Sequence, residues 1–178
     1  HRVIGVNSMK KLSATIITFN EENNLRMCLD SLKGLVDEII VVDSFSTDRT
    51  CEVAKEYGAL VVQQKFNDFE SQKNTAHSLA TGEWVISLDA DEYLDDELKA
   101  AIKEELKDPK ADGYNFFRLN SINGQWIHYS GWDKDIKLRL VKRVTSKWIG
   151  GYVHEVLFVE GKTQRLKGKL MHHSYLNL

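Results

Sequence analysis

Apolar and polar positions along the first hundred residues repeat with two different periods. Short runs rich in β-branched residues are typical of buried strands, and each is followed by a stretch whose apolar residues recur at helical spacing. The predicted strands are residues 12–18, 38–43, 60–63 and 83–88, and a helix is predicted after each, the third of them at 69–80. Strands that alternate with helices predict a parallel sheet covered by helices on both faces.

The pattern changes after Pro109, which ends the helix predicted to follow Asp95. Residues 113–119 are aromatic and strand-like, Asn123-Gly124 is a typical hairpin turn, and residues 136–141 alternate apolar with basic side chains. No linker composition separates the two halves. We therefore predict an α/β three-layer sandwich whose central sheet is mostly parallel, with antiparallel strands added in the second half.

Polar clusters follow three of the predicted parallel strands, at Thr18 to Glu21, Asp43 to Asp48 and Asp89 to Asp91. Ligands of such sheets bind beyond the carboxyl ends of the strands. Three clusters at one edge of the sheet therefore predict a ligand site there, and their convergence supports it better than any one cluster does.

The acidic run Asp89-Ala90-Asp91-Glu92 is the most distinctive of these clusters. Side chains alternate along an extended strand, so Asp89 and Asp91 are expected on the same side. Two carboxylates there suit Mg²⁺ or Mn²⁺, with phosphate oxygens and water completing the coordination. The alternative is a solvated turn that opens the next helix, where acidic residues are favoured.

Two further residues have equally open interpretations. Asp43 is placed to accept a hydrogen bond from a nucleobase imide or a ribose hydroxyl, or to serve as an ordinary turn aspartate. Lys73 lies on a predicted helix and faces either the site or solvent. The chain has no Gly-x-Gly-x-x-Gly after its first strand and no Gly-x-x-x-x-Gly-Lys, so dinucleotide and P-loop classes lose their main support.

The second half contributes the segment 148–155, Trp-Ile-Gly-Gly-Tyr-Val-His-Glu. Its two glycines allow the backbone to pass close to a ligand, and Glu155 after them is a candidate general base. The alternative is a glutamate on an edge strand. His172, in a histidine pair, is a candidate third metal ligand, the alternative being a surface pair near the end of the chain.

Composition limits the class of protein. An apolar fraction of 42%, a charged fraction of 28% and a single proline are typical of a soluble globular domain. Cys28 and Cys51 are interpreted as reduced, buried residues. Residues 1–133 carry 14 basic and 23 acidic side chains, whereas residues 134–178 carry 10 and 3. The basic second half favours a phosphate or an anionic acceptor as partner.

Taken in order, several motifs resemble the family 2 glycosyltransferases of GT-A (Rossmann-like) fold. They are residues 14–23, 40–48 and 88–92, followed by the Trp148 to Glu155 segment and His172-x-Ser-Tyr. The last two are typical of the branch resembling bacterial lipopolysaccharide-core β-glucosyltransferases. The chain departs from the family in reading Asp-Ser-Phe-Ser-Thr-Asp for Asp-Asp-Gly-Ser-Thr-Asp, and in stopping three residues after Tyr175, where members continue into further helices.

The resemblance implies a role for each candidate residue. Thr18, Phe19 and Glu21 would border the nucleoside, with Asp43 at the uracil and Lys73 near it. Asp89 would meet the ribose or the metal, Asp91 and His172 would bind the metal, and Glu155 would be the base. Residues 9–178 would form one domain, with residues 1–110 binding the nucleotide and residues 111–178 the acceptor; residues 1–8 are interpreted as an expression remnant.

The implied reaction is a metal-dependent, inverting transfer of a hexose from a UDP-sugar, with glucose as the expected sugar. The expected acceptor is a hydroxyl of lipopolysaccharide core or another envelope glycan or glycolipid. A cytoplasmic location with peripheral inner-membrane contact is expected, and nucleic acid is not expected as a partner. The alternatives are sugar transfer to a polyprenyl phosphate, nucleotidyl transfer, and a non-catalytic module that binds nucleotide sugars.

Overall fold

The computed structural model describes residues 10–128, 135–150 and 154–174. The interpretation of residues 1–8, and the motif positions 151–153 and Tyr175, lie outside the described residues. The elements are β1 Leu12–Thr18, α1 Glu22–Leu32, β2 Glu38–Asp43, α2 Thr50–Glu56, β3 Leu60–Gln63, α3 Phe69–Leu79, β4 Trp84–Asp89, β5 Glu92–Leu94, α4 Asp96–Glu105, β6 Gly113–Ile122, β7 Gln125–Ile127, β8 Asp135–Lys142, β9 Ser146–Gly150, β10 Glu155–Val159 and β11 Thr163–Ser174.

The first four strands form the predicted parallel half of the sheet, in the order β3-β2-β1-β4. Their central members are buried on both faces, which is why they read as nearly continuous apolar runs. Apolar side chains of α1, α2 and α4 pack on one face, and Ala76 and Leu79 of α3 pack on the other. Helix, sheet and helix therefore form the predicted three layers.

The second half adds strands of both orientations to the same sheet. β8 is antiparallel to β4 and to β6, and the Asn123-Gly124 turn joins β6 to β7 as a hairpin, as predicted. β11 runs parallel to β6 and antiparallel to the three-residue β5. β9 and β10 form a separate two-stranded ribbon. None of the described helices is long and apolar enough to cross a bilayer.

Gly168 permits the irregular pairing of β11, where the register against β6 shifts between Arg165 and Lys169. Its φ is +93°, and a Cβ at this position would lie 2.2 Å from the backbone nitrogen of Leu98. Only glycine avoids both the left-handed strain and the collision. The β11 residues that follow, including His172, depend on this shift for their position.

We expect Gly168→Ala to lower the free energy of unfolding by at least about 2 kcal/mol, because strain and steric overlap both contribute. Gly34→Ala is the matched control, since Gly34 also has a positive φ, of +72°, but has nothing within 4 Å of its Cβ position. That control should cost only about 1 kcal/mol. Urea unfolding compares the two, and equal losses would show that the contact with α4 contributes nothing.

Candidate active site

A cavity of about 720 Å³ opens at the carboxyl ends of β1 and β4, where the sequence predicts a ligand site. All predicted site residues except Asp43 line it, namely Thr18, Phe19, Glu21, Lys73, Asp89, Asp91, Glu155 and His172. They come from both halves of the chain. The cavity also exposes residues that the sequence did not single out, namely Ser44, Phe66, Phe69 and Arg118.

Asp43 lies behind the cavity wall and is fully buried. Its Oδ1 accepts hydrogen bonds from the hydroxyls of Thr18, at 2.7 Å, and Ser46, at 2.6 Å, and its Oδ2 accepts from the Ser46 backbone N–H. Burial alone would raise the pKa of Asp43, but the bonds from Ser46 and Thr18 hold it below its usual value. Asp43 therefore fixes the turn after β2, and its contact with a uracil stays a prediction.

Asp91 and His172 form a candidate metal pair. The β5–β11 pairing brings them together, with Nε2 of His172 2.9 Å from Oδ2 of Asp91. Nδ1 of His172 lies 2.7 Å from the amide oxygen of Asn120, which fixes the orientation of the ring. Burial lowers the pKa of His172, but the Asp91 carboxylate more than offsets it and the pKa is raised.

The Asp91 carboxylate is a ligand that Mg²⁺ and Mn²⁺ prefer, whereas the His172 imidazole beside it is a softer nitrogen ligand. The two side chains are in hydrogen-bond contact at 2.9 Å, so both are close enough to reach one ion if the bond between them is replaced. Residues 10–128, 135–150 and 154–174 contain no cluster of three His, Cys, Asp or Glu side chains that could hold an ion. Metal ligation by Asp89 stays a prediction.

Asp89 lies between two cations. Its Oδ1 is 3.7 Å from the Lys73 ammonium, and its Oδ2 is 3.6 Å from the Arg139 guanidinium. Burial would raise the pKa of Asp89, but Arg139 and Lys73 lower it overall. The carboxylate is therefore held ionised at the cavity wall.

Glu92, the last residue of the acidic run, has a fully buried side chain and is the centre of a charge network that the sequence did not reveal. It accepts hydrogen bonds from the Asp89 backbone N–H at 2.7 Å, from Arg139 at 2.5 Å and from Arg118 at 3.0 Å. Arg118 also donates to Asp135 at 2.6 Å. Each buried charge is thus paired. The network fixes the backbone at Asp89 and the guanidinium of Arg118, which lines the cavity.

Glu155 begins β10 and lines the same cavity as Asp91. Its Oε1 lies 2.7 Å from the ammonium of Lys73, which also lies 4.2 Å from the centre of the Trp148 ring. Lys73 is only 7% exposed. Of the two interpretations of Lys73 left open by the sequence, the structure therefore selects the one facing the site, although a contact with nucleotide remains a prediction.

Three aromatic side chains border the cavity and remain exposed. Phe19 is 58%, Phe66 44% and Phe69 51% exposed, and the rings of Phe66 and Phe69 meet edge to face with centres 5.0 Å apart. Exposed aromatic clusters are characteristic of surfaces that bind ligands. Ser44, which lines the cavity beside them, accepts a hydrogen bond from the Gln72 amide at 2.9 Å.

The three-layer fold, with carboxylates and aromatic side chains around a cavity at the ends of the parallel strands, is the GT-A fold of glycosyltransferases. Residues 13–157 match the family described as glycosyl transferase family 2, and the chain belongs to that family. The predicted family and fold are therefore confirmed. The resemblance to the lipopolysaccharide-core branch stays a prediction.

The chain is similar to glycosyltransferases of several organisms. An uncharacterized glycosyltransferase of Rickettsia typhi is 39% identical over 114 residues, which are 64% of this chain and 39% of the relative. S. aureus TarS 1–349 in complex with UDP superposes with a TM-score of 0.58 at 25% identity, over 69% of this chain and 39% of that one. The Pyrobaculum calidifontis mannosyltransferase PcManGT, in complex with GDP-Man and Mn²⁺, superposes with a TM-score of 0.52 at 25% identity, over 63% of this chain and 36% of that one. The chain thus spans about 40% of the length of these curated relatives from Rickettsia.

Proposed function

We propose that this chain carries the active site of a metal-dependent, inverting hexosyltransferase that uses a UDP-sugar. The observation that supports this most strongly is the joint presence, in one cavity, of the Asp91–His172 pair and the Glu155 carboxylate. The Asp91–His172 pair can hold a divalent ion on the leaving group, and the Glu155 carboxylate can accept the proton of the attacking hydroxyl. A nucleotidyltransferase would not need Glu155.

The complexes of similar proteins support the donor class. TarS is described with UDP, and PcManGT with GDP-Man and Mn²⁺. In this chain Asp91 and His172 would hold Mg²⁺ or Mn²⁺. A divalent ion bound there would neutralise the charge that develops on the departing diphosphate. Phe19 and Ser44, which line the cavity, would border the nucleoside.

Glu155 is the proposed catalytic base. The acceptor oxygen attacks the anomeric carbon from the face opposite the diphosphate while its proton passes to Glu155. The new glycosidic bond forms as the bond to the diphosphate breaks, and UDP leaves. A single displacement of this kind inverts the anomeric configuration and needs no protein nucleophile.

The basic character of residues 134–178 supports an acceptor that carries phosphate or other anionic groups. A hydroxyl of lipopolysaccharide core or another envelope glycolipid has this chemistry, with glucose as the proposed sugar. Residues 1–110 would then bind the donor and residues 111–178 the acceptor. Action at the cytoplasmic face of the inner membrane, in peripheral contact with it, follows from such an acceptor. A polyprenyl phosphate is the second candidate acceptor, supported by the same basic residues.

The proposed reaction class is tested by product analysis with a panel of UDP-sugars and Mn²⁺. Free UDP is expected, whereas pyrophosphate turnover would indicate nucleotidyl transfer. Thermal unfolding with each nucleotide sugar, with and without Mn²⁺, identifies the donor, because a ligand of the native state raises its stability. Binding without any turnover would instead favour a non-catalytic module.

The position of Asp43 leads to a further prediction. Asp43 holds the turn that presents Ser44 and does not itself line the cavity. We therefore expect Asp43→Ala to weaken the binding of UDP and the binding of a purine diphosphate by similar factors. Calorimetry with both nucleotides measures this. A loss confined to UDP would show that Asp43 reads the uracil directly, since a site built around a hydrogen bond rejects analogues that lack it.

A further inference from the structure

Lys73 occupies a position between the donor side and the acceptor side of the cavity. Its ammonium lies 2.7 Å from Oε1 of Glu155 and 3.7 Å from Oδ1 of Asp89. The two carboxylates therefore share one cation, which draws the proposed base toward the strand end where the donor is expected. The side chains of Lys73 and Glu155 are only 8% and 19% exposed, which strengthens the attraction between them.

The surroundings of Lys73 keep it in this position. Its ammonium lies over the Trp148 ring. The next residue on α3, Asn74, forms hydrogen bonds with the backbone of Trp148 on β9. The Asn74 amide donates to the Trp148 carbonyl oxygen at 2.9 Å, and its oxygen accepts from the Trp148 backbone N–H at 3.0 Å. α3 is thus clamped to β9, and through the β9–β10 pairing to Glu155.

We propose that Lys73 is a positioning residue for Glu155: its ammonium holds the carboxylate, leaving the second oxygen to receive the acceptor proton. This rests on the proposed role of Glu155 as base. The arrangement resembles the general pattern of a base that is oriented by a third group. A positioning residue differs from a nucleotide ligand in its effect: Lys73 would affect turnover, whereas a nucleotide ligand would affect donor affinity.

Water can replace the unidentified acceptor in the test. In donor hydrolysis, the water oxygen attacks the anomeric carbon, the bond to the diphosphate breaks, and the water proton passes to Glu155, giving free sugar and UDP. The measured quantities are the rate of UDP release at saturating UDP-sugar with Mn²⁺ and, separately, the affinity for UDP by calorimetry. The full chain is used throughout.

The variants are Lys73→Met, Glu155→Gln and the two combined. We expect Lys73→Met to lower the rate about 10²-fold, the usual consequence of misplacing a reacting group by about 1 Å. The double variant should be no slower than Glu155→Gln, within about twofold, because one substitution acts through the other. UDP affinity should stay constant. Lys10→Met is the matched control, since Lys10 also pairs with a glutamate, at 2.8 Å from Glu38, but outside the cavity.

Two results would overturn the positioning role. Losses that multiply in the double variant, or a drop in UDP affinity with an unchanged rate, would make Lys73 a donor ligand. Normal turnover in Glu155→Gln would instead refute the base itself, so the two failures are distinguishable. Should Lys73→Met unfold, Lys73→Gln becomes the neutral variant, and Lys73→Arg, which retains the charge in a different geometry, should lose less activity than Lys73→Gln, with UDP affinity again unchanged.

Discussion

Glu155→Gln is expected to lower turnover by on the order of 10²–10⁴, the usual contribution of a general base, while UDP-sugar affinity stays unchanged. Glutamine keeps the shape of the side chain and can still accept a hydrogen bond from Lys73, but it cannot take the acceptor proton. The affinity should persist because Glu155 pairs with Lys73, whereas the Asp91–His172 pair is proposed to hold the diphosphate through a metal. Steady-state kinetics and calorimetry on the same preparation measure both quantities.

The neighbouring histidine provides the control for this experiment. His154 is exposed, and it precedes a residue that faces the cavity, so it points away from the site. His154→Ala should therefore keep near-normal turnover. Normal turnover in Glu155→Gln, combined with abolished turnover in His154→Ala at unchanged stability, would make the histidine the base and the carboxylate its orienting partner.

The parallel half of the fold could be predicted because its signals are local. β1 and β2 begin and end at the predicted residues, since a strand buried on both faces appears as an unbroken apolar run. β5 and β11 escaped prediction for different reasons. β5 has only three residues, too few for a periodic pattern, and β11 is interrupted at Gly168 by its change of register.

The sequence predicted where the site lies more readily than it predicted which side chains line it. Strand ends identify the cavity edge, but they do not show that the turn after β2 directs Ser44, and not Asp43, into the cavity. Arg139 appears surface-like in an alternating strand. Its burial depends on Glu92, 47 residues away in the chain, and no local pattern encodes such a partner.

Each of the two proposed halves of the chain contributes one residue to the candidate metal pair. Asp91 follows β4 in the nucleotide-binding half, whereas His172 comes from β11 in the acceptor-binding half. Sequence motifs alone treat these as separate signals, and only the β5–β11 pairing brings them within 2.9 Å. A metal bound by both would couple donor binding to the position of β11.

Asp91→Asn is accordingly expected to weaken UDP binding at least about tenfold in Mn²⁺, since losing even an outer partner of a metal ligand costs that much. With chelator present, binding should be unchanged or slightly tighter, because one negative charge facing the diphosphate has been removed. His172→Ala should reproduce the metal-dependent loss, as it removes the other member of the pair. Calorimetry of UDP binding compares each of the two variants with the unchanged protein, once in Mn²⁺ and once in chelator.

Glu83→Gln is the matched control for Asp91→Asn. Glu83 directly precedes β4, at the end of the strand opposite Asp91, and its pair with Lys11 is exposed, so the substitution removes one carboxylate charge without reaching the cavity. It should leave UDP binding unchanged in both conditions. Equal losses for Asp91→Asn with Mn²⁺ and with chelator would show that Asp91 supports the loop structurally. If Asp91→Asn weakens UDP binding in Mn²⁺ and His172→Ala does not, the histidine is not a metal ligand. Asp91 would then be the one member of the pair that binds the metal.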